Sequence, residues 1–504
     1  MEKVLDAMLT GVQFVNNYLS NYILIILLVG VGLYFTIRTR FVQVRCFGEG
    51  MKNVFGNIKL KGGKGEGGLS SFQALATAIA AQVGTGNIVG ACGAILIGGP
   101  GAIFWMWVIA FLGMATIYAE AVLAQKTRVT NEDGTVEGGP IYYIKTAFKG
   151  KFGKFLAVFF SIACVFALGF VGSMVQSNSI ASNFANVFSS VGVDASFTFA
   201  GMELNVVMII VGVIVAAIAG FVLIGGVNRL ASVTEKLVPV MAIFYLLGGL
   251  FVLALNITSV PKAFGMIFGY AFKPQALIGG AFGAAIAKAI TQGAKRGLFS
   301  NEAGMGSTPH AHALASVKKP HDQGTVAMVG VFIDTFVVLT ITALVVISTL
   351  YCNGTITPDT YALGNEGISN ATMAQSAFGF TFAKLFGAQA GAIIGNIFVA
   401  ICLLFFAFST ILSWNYFGKV NFTHLFGKKS VTVYSIIAIV FVFLGSVFQN
   451  DLVWELTDMF NNLMVLPNAI ALFALGGIVA ASAKAAYDKK KKASEAQNEP
   501  TDAE

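Results

Sequence analysis

Charge is what this sequence has least of. Of its 504 residues only 11% are Asp, Glu, Lys or Arg, against about 25% in a typical soluble globular chain. So little charge cannot clothe a water-facing surface of this size, which excludes an ordinary soluble protein. Histidine is scarcer still, with four residues, and the five cysteines stand apart at 46, 92, 164, 352 and 402 with no C-x-x-C pair. That spacing argues against a zinc module or a dithiol redox centre. Cys352, the one cysteine expected in an outer loop, has no partner there for a structural disulfide. No H-E-x-x-H, paired-carboxylate motif or Ser/His pair falls inside an apolar segment, so an integral-membrane enzyme is disfavoured. Nucleic acid is excluded by position: the net charge is +8, yet the basic residues sit in short loops with no aromatic-interleaved patch.

What the sequence has in abundance is apolar length. Hydrophobic residues make up 56%, glycines number 57 and the mean hydropathy is +0.78. Eleven apolar runs emerge, at 20–37, 69–98, 100–126, 152–187, 206–224, 231–256, 276–298, 325–350, 377–417, 431–448 and 453–482. Each is long enough to cross a bilayer as a helix of about 20 residues, which predicts an all-α polytopic membrane protein. The N-terminus carries Glu2, Lys3 and Asp6, and its first run ends in Arg38-Thr39-Arg40 instead of a small-residue cleavage site, so it reads as a retained anchor. Alternate loops are basic: Arg38 to Lys64, Lys126 to Lys154, Lys295 to Lys319 and Lys419 to Lys429. The loops between them, 188–205 and 351–376, hold only acidic charges. By the positive-inside rule the N-terminus is expected outside and the C-terminus in the cytoplasm, which requires an odd number of spans. All four histidines (His310, His312, His321 and His424) then fall in cytoplasmic loops, where they are expected to be solvated.

The second run is interrupted at AQVGTGNIVG, residues 81–90. Glycine costs about 1 kcal/mol in a helix interior, and exposed backbone survives in hydrocarbon only where it lines a cavity or meets a ligand. The alternative is that Gly84 and Gly86 let two helices approach closely. The seventh run carries a similar interruption at QALIGGAFGAAI, residues 275–286, five helices later. Paired breaks at an odd offset point to an inverted repeat with a binding site at its interface.

Several stretches resemble the alanine/glycine:cation symporter family. GGPGAIFWMWVIAFLG at 98–113 is similar to the family's signature. SFQALATAIAAQVGTGNIVG (71–90), EGGPIYY (137–143), GSMVQSNSIA (172–181), RGLFSNEAGMGS (296–307) and FFAFSTILSWNYFG (405–418) look like further family segments. The resemblance spans about residues 20–480 and implies a LeuT-type five-plus-five inverted repeat preceded by one extra helix. The expected divisions are 1–68 for the extra helix and its loop, 69–256 and 257–482 for the two repeats, and 483–504 for a disordered charged tail. The implied function is sodium-coupled import of small neutral amino acids across the plasma membrane, with Na+ as coupling ion and no organic cofactor. A proton-coupled carrier of the same fold is the alternative.

The resemblance also implies roles for residues. The sodium shared by most members of the fold would take the carbonyls of Ala80 and Val83 and the hydroxyls of Ser409 and Thr410, with Asn87 a candidate ligand for a second ion. Neutral oxygens suit a hard monovalent cation, although Ser409 and Thr410 can equally serve as interhelical hydrogen-bond partners. A zwitterionic substrate would place its carboxylate on the N–H groups of Thr85 and Gly86, at the positive end of the outer half-helix. Its ammonium would meet carbonyls at Ile278, Gly279 and Gly280, and Gln176 could bond either end or act as interhelical glue. Thr410 and Trp414 share a helix face at i, i+4, so Trp414 is expected either to wall the pocket or to belong to the interfacial aromatic belt. Among intramembrane charges, Asp334 is a candidate for the cation path, for pairing with Lys288, or for a structural role. Lys288 is expected to reach toward the cytoplasm, and Glu120 to lie at the interface.

Overall fold

The computed structural model describes residues 2–56, 69–132, 134–199, 202–272, 282–356, 369–448 and 451–497. Nearly all of them are helical. Among the described residues eight helices are long and apolar enough to cross a membrane, and two bent helix pairs bring the count to as many as 10. The spans are Leu5–Arg38, Gly101–Thr127, Gly150–Ser190, Val206–Ile224, Gly226–Leu255, Pro320–Tyr351, Ala388–Phe426 and Lys428–Val447. The bent pairs are Ser71–Gln82 with Gly86–Gly98 and Asp451–Ala474 with Gly476–Asp488. The run expected at 276–298 corresponds to the helix Phe282–Asn301. Residues 273–281, with Ile278, Gly279, Gly280 and hence the second expected break, lie outside the described residues.

The outer helices turn large apolar side chains outward: Ile26, Phe221, Leu247 and Ile224, the last 78% exposed. Leaving such a side chain in water forgoes about 1.5–3 kcal/mol, whereas against lipid the same exposure costs nothing. The chain is therefore a multi-pass membrane protein, and the hydrophilic atoms it buries lie inside the bundle.

Three segments differ from the sequence reading. The run 377–417 is not one span. Gly387, at φ +83°, turns the chain between Met373–Phe386 and Ala388–Phe426. The two helices fold back on each other antiparallel, and a methyl group at Gly379 would meet the Cα of Ala392 at 3.2 Å. Hydropathy alone misses the turn because the residues on both sides are apolar. Val260–Phe272, absent from the eleven runs, forms an additional helix that packs against Gly101–Thr127, with Trp105 Nε1 donating to the Ala271 carbonyl at 3.3 Å. The C-terminal segment expected to be disordered from Ala483 is instead helical to Gln497. Its Ala- and Lys-rich composition favours helix, and Arg45 lies 4.8 Å over the Tyr487 ring.

The helix at the centre of the bundle is Ser71–Gln82. Its start is closed by a capping box, in which Ser70 Oγ accepts from the Gln73 N–H and Gln73 Oε1 accepts from the Ser70 N–H, both at 3.1 Å. From Ala74 onward every residue of it is buried, packed against Gly226–Leu255 and the long Ala388–Phe426 helix.

Candidate substrate and cation site

The predicted break is present, one residue earlier than expected. The last regular hydrogen bond runs from the Val83 N–H to the Ile79 carbonyl at 2.7 Å, and Val83 then leaves helical geometry at φ −81°, ψ 89°. Helical conformation resumes at Thr85, and the two halves meet at 46°. In a continuous helix the Gly84 N–H would return to Ala80. Here it donates to Asn87 Oδ1 at 3.0 Å. Likewise the Thr85 N–H, instead of returning to Ala81, donates to Gln176 Oε1 at 3.1 Å. The break thus frees two carbonyls deep in the protein, where each needs a partner.

Ser409 and Thr410 meet them. Thr410 Oγ1 donates to the Ala80 carbonyl at 2.9 Å and lies 3.4 Å from that of Ala81, while Ser409 Oγ lies 3.4 Å from Ala80. Both hydroxyls also reach back to the Phe406 carbonyl, at 2.8 and 3.1 Å. A Cβ at Gly84 would collide with Thr410 Oγ1, so the approach requires glycine. Among the described residues the arrangement is a cluster of neutral oxygens with no charged group, held between two helices. Val83 adjoins it as the last residue before the turn.

On the other side of the break, Thr85 Oγ1 is buried with no hydrogen-bond partner. Gln176 is also buried and is engaged by Thr85 itself, whereas Asn178 faces elsewhere and donates to the Gly445 carbonyl at 3.1 Å. Asn87 bridges outward: its Nδ2 donates to Asp334 Oδ1 at 2.6 Å and to the Asp334 carbonyl at 3.1 Å. Asp334 also accepts from Ser300 Oγ at 3.0 and 3.1 Å and from Thr335 Oγ1 at 2.8 Å. It sits in a widened π-type turn, Phe332–Leu339, a distortion often found at functional sites. Lys288, a possible partner on the sequence reading, is exposed and is not among the Asp334 contacts; three neutral side chains hold the carboxylate instead.

A methyl group at Gly86 would meet the Ser300 backbone at 2.9 Å and the Phe299 ring at 3.2 Å. Phe299 is thus the aromatic residue beside the break, and Trp414 packs perpendicular to it at 5.7 Å. Trp414 is not part of an interfacial belt. It is buried, and its Nε1–H donates to Glu302 Oε1 at 2.5 Å.

Glu302 escaped the sequence reading, although it stands in the quoted RGLFSNEAGMGS stretch. It follows the end of Phe282–Asn301 in a left-handed conformation, φ +58°, which costs a non-glycine residue about 1–2 kcal/mol. Ser307 Oγ donates to its second oxygen, and the loop continues through Gly304 and Gly306 at φ +94° and +81°. Glu120, expected at the interface, is fully buried against this loop. It accepts from the Gly304 N–H at 3.2 Å and from Asn468 Nδ2 at 2.6 Å, and Asn468 in turn accepts from the Tyr143 hydroxyl at 2.5 Å. The histidines also depart from the solvated-loop expectation. His310 and His312 are buried because the segment after Glu302 folds back into the bundle as the short helix Pro309–Ala313, and His321 is buried at the start of the next helix, against Tyr118. Lys295 and Arg296, read as loop residues, pair with buried Asp458 at 2.8 and 3.4 Å. Hydropathy treats all of these as loop charges, and only the fold reveals that they are inward-facing.

Known proteins bear on this arrangement. The bundle superposes on the crystal structure of MhsT in complex with L-phenylalanine with a TM-score of 0.55 at 15% identity, covering 84% of this chain and 100% of that one. The fold is therefore LeuT-type. The sodium/alanine symporter AgcS of Methanococcus maripaludis is 40% identical over 488 residues, 97% of this chain and 98% of its own. YrbD of Bacillus subtilis, named as a sodium/proton-dependent alanine carrier, is 38% identical over 485 residues, 95% of this chain and 93% of its own. The sodium:alanine symporter family is matched across residues 5–501. With the broken helix and its hydroxyl partners in place, the conclusion is that this chain belongs to the sodium:alanine symporter family.

Proposed function

We propose that the protein imports a small neutral amino acid, alanine or glycine, by coupling it to Na+ entry, alternating its access between the two faces of the cell membrane. In this reading the N-terminus is outside and the basic loops are cytoplasmic. The observation that carries it is the pair of carbonyls released at the break, Ala80 and Ala81, facing the hydroxyls of Ser409 and Thr410. Na+ would draw on Ala80, Ser409 and Thr410, with Val83 at the turn completing the set. The ion would then fasten the broken helix to the long one only while it is bound, which is how a coupling ion biases a conformational equilibrium.

The substrate carboxylate would take the Thr85 and Gly86 N–H groups at the start of the outer half-helix, displacing the Gln176 oxygen that now holds Thr85. The unpartnered Thr85 hydroxyl supplies a further donor. Phe299, backed by Trp414, would limit side-chain size. The ammonium site assigned to Ile278–Gly280 rests on the sequence argument. Asn87 and Asp334 form a second oxygen cluster suited to a cation, and this favours a second reading. A buried carboxylate that, among the described residues, is held by neutral side chains can carry a proton, so proton coupling would centre on Asp334. Uptake of labelled alanine into proteoliposomes separates the two. A Na+ gradient at uniform pH should drive accumulation; a pH gradient that drives it without Na+ would replace the first reading by the second.

A further inference from the structure

A second cluster lies apart from the break. The thiol of Cys46, a carboxylate oxygen of Glu49 and a ring nitrogen of His321 all lie within 4.8 Å of one another. Cys46 and Glu49 belong to the short segment after the first span, where the helix Phe47–Phe55 lies across the start of Pro320–Tyr351. That docking is close: a Cβ at Gly50 would meet the Thr325 carbonyl at 2.6 Å, Asn53 Nδ2 donates to Thr325 Oγ1 at 3.1 Å, and Phe47 packs edge-on to Phe332 at 4.8 Å. His321 is 3% exposed. Its Nδ1 is 2.7 Å from the Tyr118 hydroxyl, which fixes the ring, while its Nε2 is buried without a hydrogen-bond partner and lies 3.4 Å from Glu49 Oε1.

We propose that Cys46, Glu49 and His321 form a binding site for a borderline-soft divalent cation of the Zn2+ type, which pins the Phe47–Phe55 helix to the Pro320–Tyr351 helix. Ligands at 2.0–2.3 Å from a tetrahedral Zn2+ stand roughly 3.2–3.7 Å apart. The His321–Glu49 pair is already at that separation, and the Cys46 thiol closes the remaining gap, about 1 Å, by side-chain rotation. A thiolate, a carboxylate and a neutral imidazole together balance the charge of the ion. The thiol releases its proton to solvent on binding, and the half-exposed Glu49 leaves room for water as the fourth ligand. For Nε2 to offer its lone pair, Nδ1–H must donate to the Tyr118 oxygen, the second-sphere bond that orients a ligating histidine. Arg45, Lys319 and Asp322 flank the cluster and are not ligands.

If the transport reading above is right, an ion here would also slow transport by tethering a peripheral helix to a core helix. The site itself is tested without transport. The purified full-length protein in detergent is titrated with Co2+ as a spectroscopic probe and then with Zn2+ in competition. One Co2+ per chain is expected, with a thiolate-to-metal charge-transfer band and the strong visible bands of tetrahedral coordination, both displaced by Zn2+. Cys46→Ser should abolish the charge-transfer band, Glu49→Gln should weaken binding, and Tyr118→Phe should keep the band while lowering affinity roughly 10- to 100-fold. Cys46 and Glu49 are only partly buried, so their variants test the site even where a His321 variant fails to fold. Absence of the band in the parent protein, or its persistence in Cys46→Ser, overturns the assignment. Zn2+-free transport that is normal in all three variants, together with loss of the band in Cys46→Ser, supports the site as distinct from the transport path.

Discussion

Thr410→Val removes one hydroxyl at nearly constant volume, at the point where the two helices meet. Thr410 Oγ1 is the closest donor to the Ala80 carbonyl, at 2.9 Å, and Gly84 gives that carbonyl no helical bond because its N–H is committed to Asn87. Two costs follow, and they are read by different assays. Without sodium the variant loses a neutral hydrogen bond and leaves a buried acceptor weakly satisfied, worth about 1–3 kcal/mol of stability. With sodium it loses an oxygen from the ion, and interactions of this kind with a charged group are worth about 1.5–3 kcal/mol. At 1.4 kcal/mol per factor of ten, that predicts roughly a 10- to 100-fold rise in the Na+ concentration for half-maximal uptake. Ser409 Oγ, at 3.4 Å from Ala80, is positioned to recover only part of it. The assay is alanine uptake in proteoliposomes across a Na+ series, alongside the Na+-induced rise in thermal midpoint of the detergent-solubilised protein. Thr410→Ser restores the oxygen and should recover most of the Na+ affinity. If Thr410→Val lowers the midpoint but leaves the Na+ dependence of both measurements unchanged, the hydroxyl is purely structural and the ion binds elsewhere.

Asp334→Asn withdraws acceptor capacity from Asn87, Ser300 and Thr335; a thermal midpoint several degrees lower and reduced Na+-driven uptake are expected, with no uptake driven by pH alone in parent or variant, as proteoliposome flux with each gradient reports. Phe299→Ala should open the side of the break that faces Gly86, so that valine and leucine compete with labelled alanine while alanine itself binds about 1–3 kcal/mol more weakly. Trp414→Phe keeps an aromatic wall but leaves Glu302 without its indole donor, so the same competition assay should show size exclusion retained and the thermal midpoint reduced. Acid should destabilise the fold through His310 and His312, whose burial, outside the membrane-spanning helices, pushes them down from 6.5 to about 4 and about 3. Below pH 6.5 the unfolded chain binds protons that the folded one refuses, so each contributes about 1.4 kcal/mol of lost stability per pH unit down to its folded value. His310→Gln should flatten the fall in thermal midpoint between pH 6.5 and 4, and an unchanged slope would show that the imidazole is not held neutral.

Residues whose chemistry shows within one segment were legible in the sequence. The break at 84–87 announced itself because glycine and asparagine are expensive inside an apolar run; Thr410 was named by the family resemblance, and Trp414 followed because it shares Thr410's helix face four residues on. What depended on two distant segments meeting was not legible. Gln176 was singled out, but nothing local says that its oxygen already holds Thr85. Glu120 read as an edge carboxylate and Glu302 drew no reading, because hydropathy scores a position, not the neighbours that satisfy it; their partners Trp414, Gly304 and Asn468 lie 112 to 348 residues away. The division at Gly387 failed for the opposite reason. The turn is exposed, but its sequence neighbours are mostly apolar, so it gives little polar signal beyond one glycine among 57.

The long helix that carries Ser409 and Thr410 has 39 residues, about 58 Å at 1.5 Å per residue. That is nearly twice the roughly 30 Å of a hydrocarbon core. It ends at both extremities in glycines of left-handed conformation, Gly387 at φ +83° and Gly427 at φ +81°. Mechanically it is a stiff rod with a glycine turn at each end and the proposed ion contact near its middle. Thr410 stands about 35 Å from the first glycine and about 25 Å from the second, so a pivot of about 5° at the contact would sweep the two ends through about 3 and 2 Å in opposite directions. Displacements of that size open or shut a passage for a molecule as small as alanine. In the proposed coupling, a tilt of this rod about the ion contact would move its two ends at once and in opposite directions.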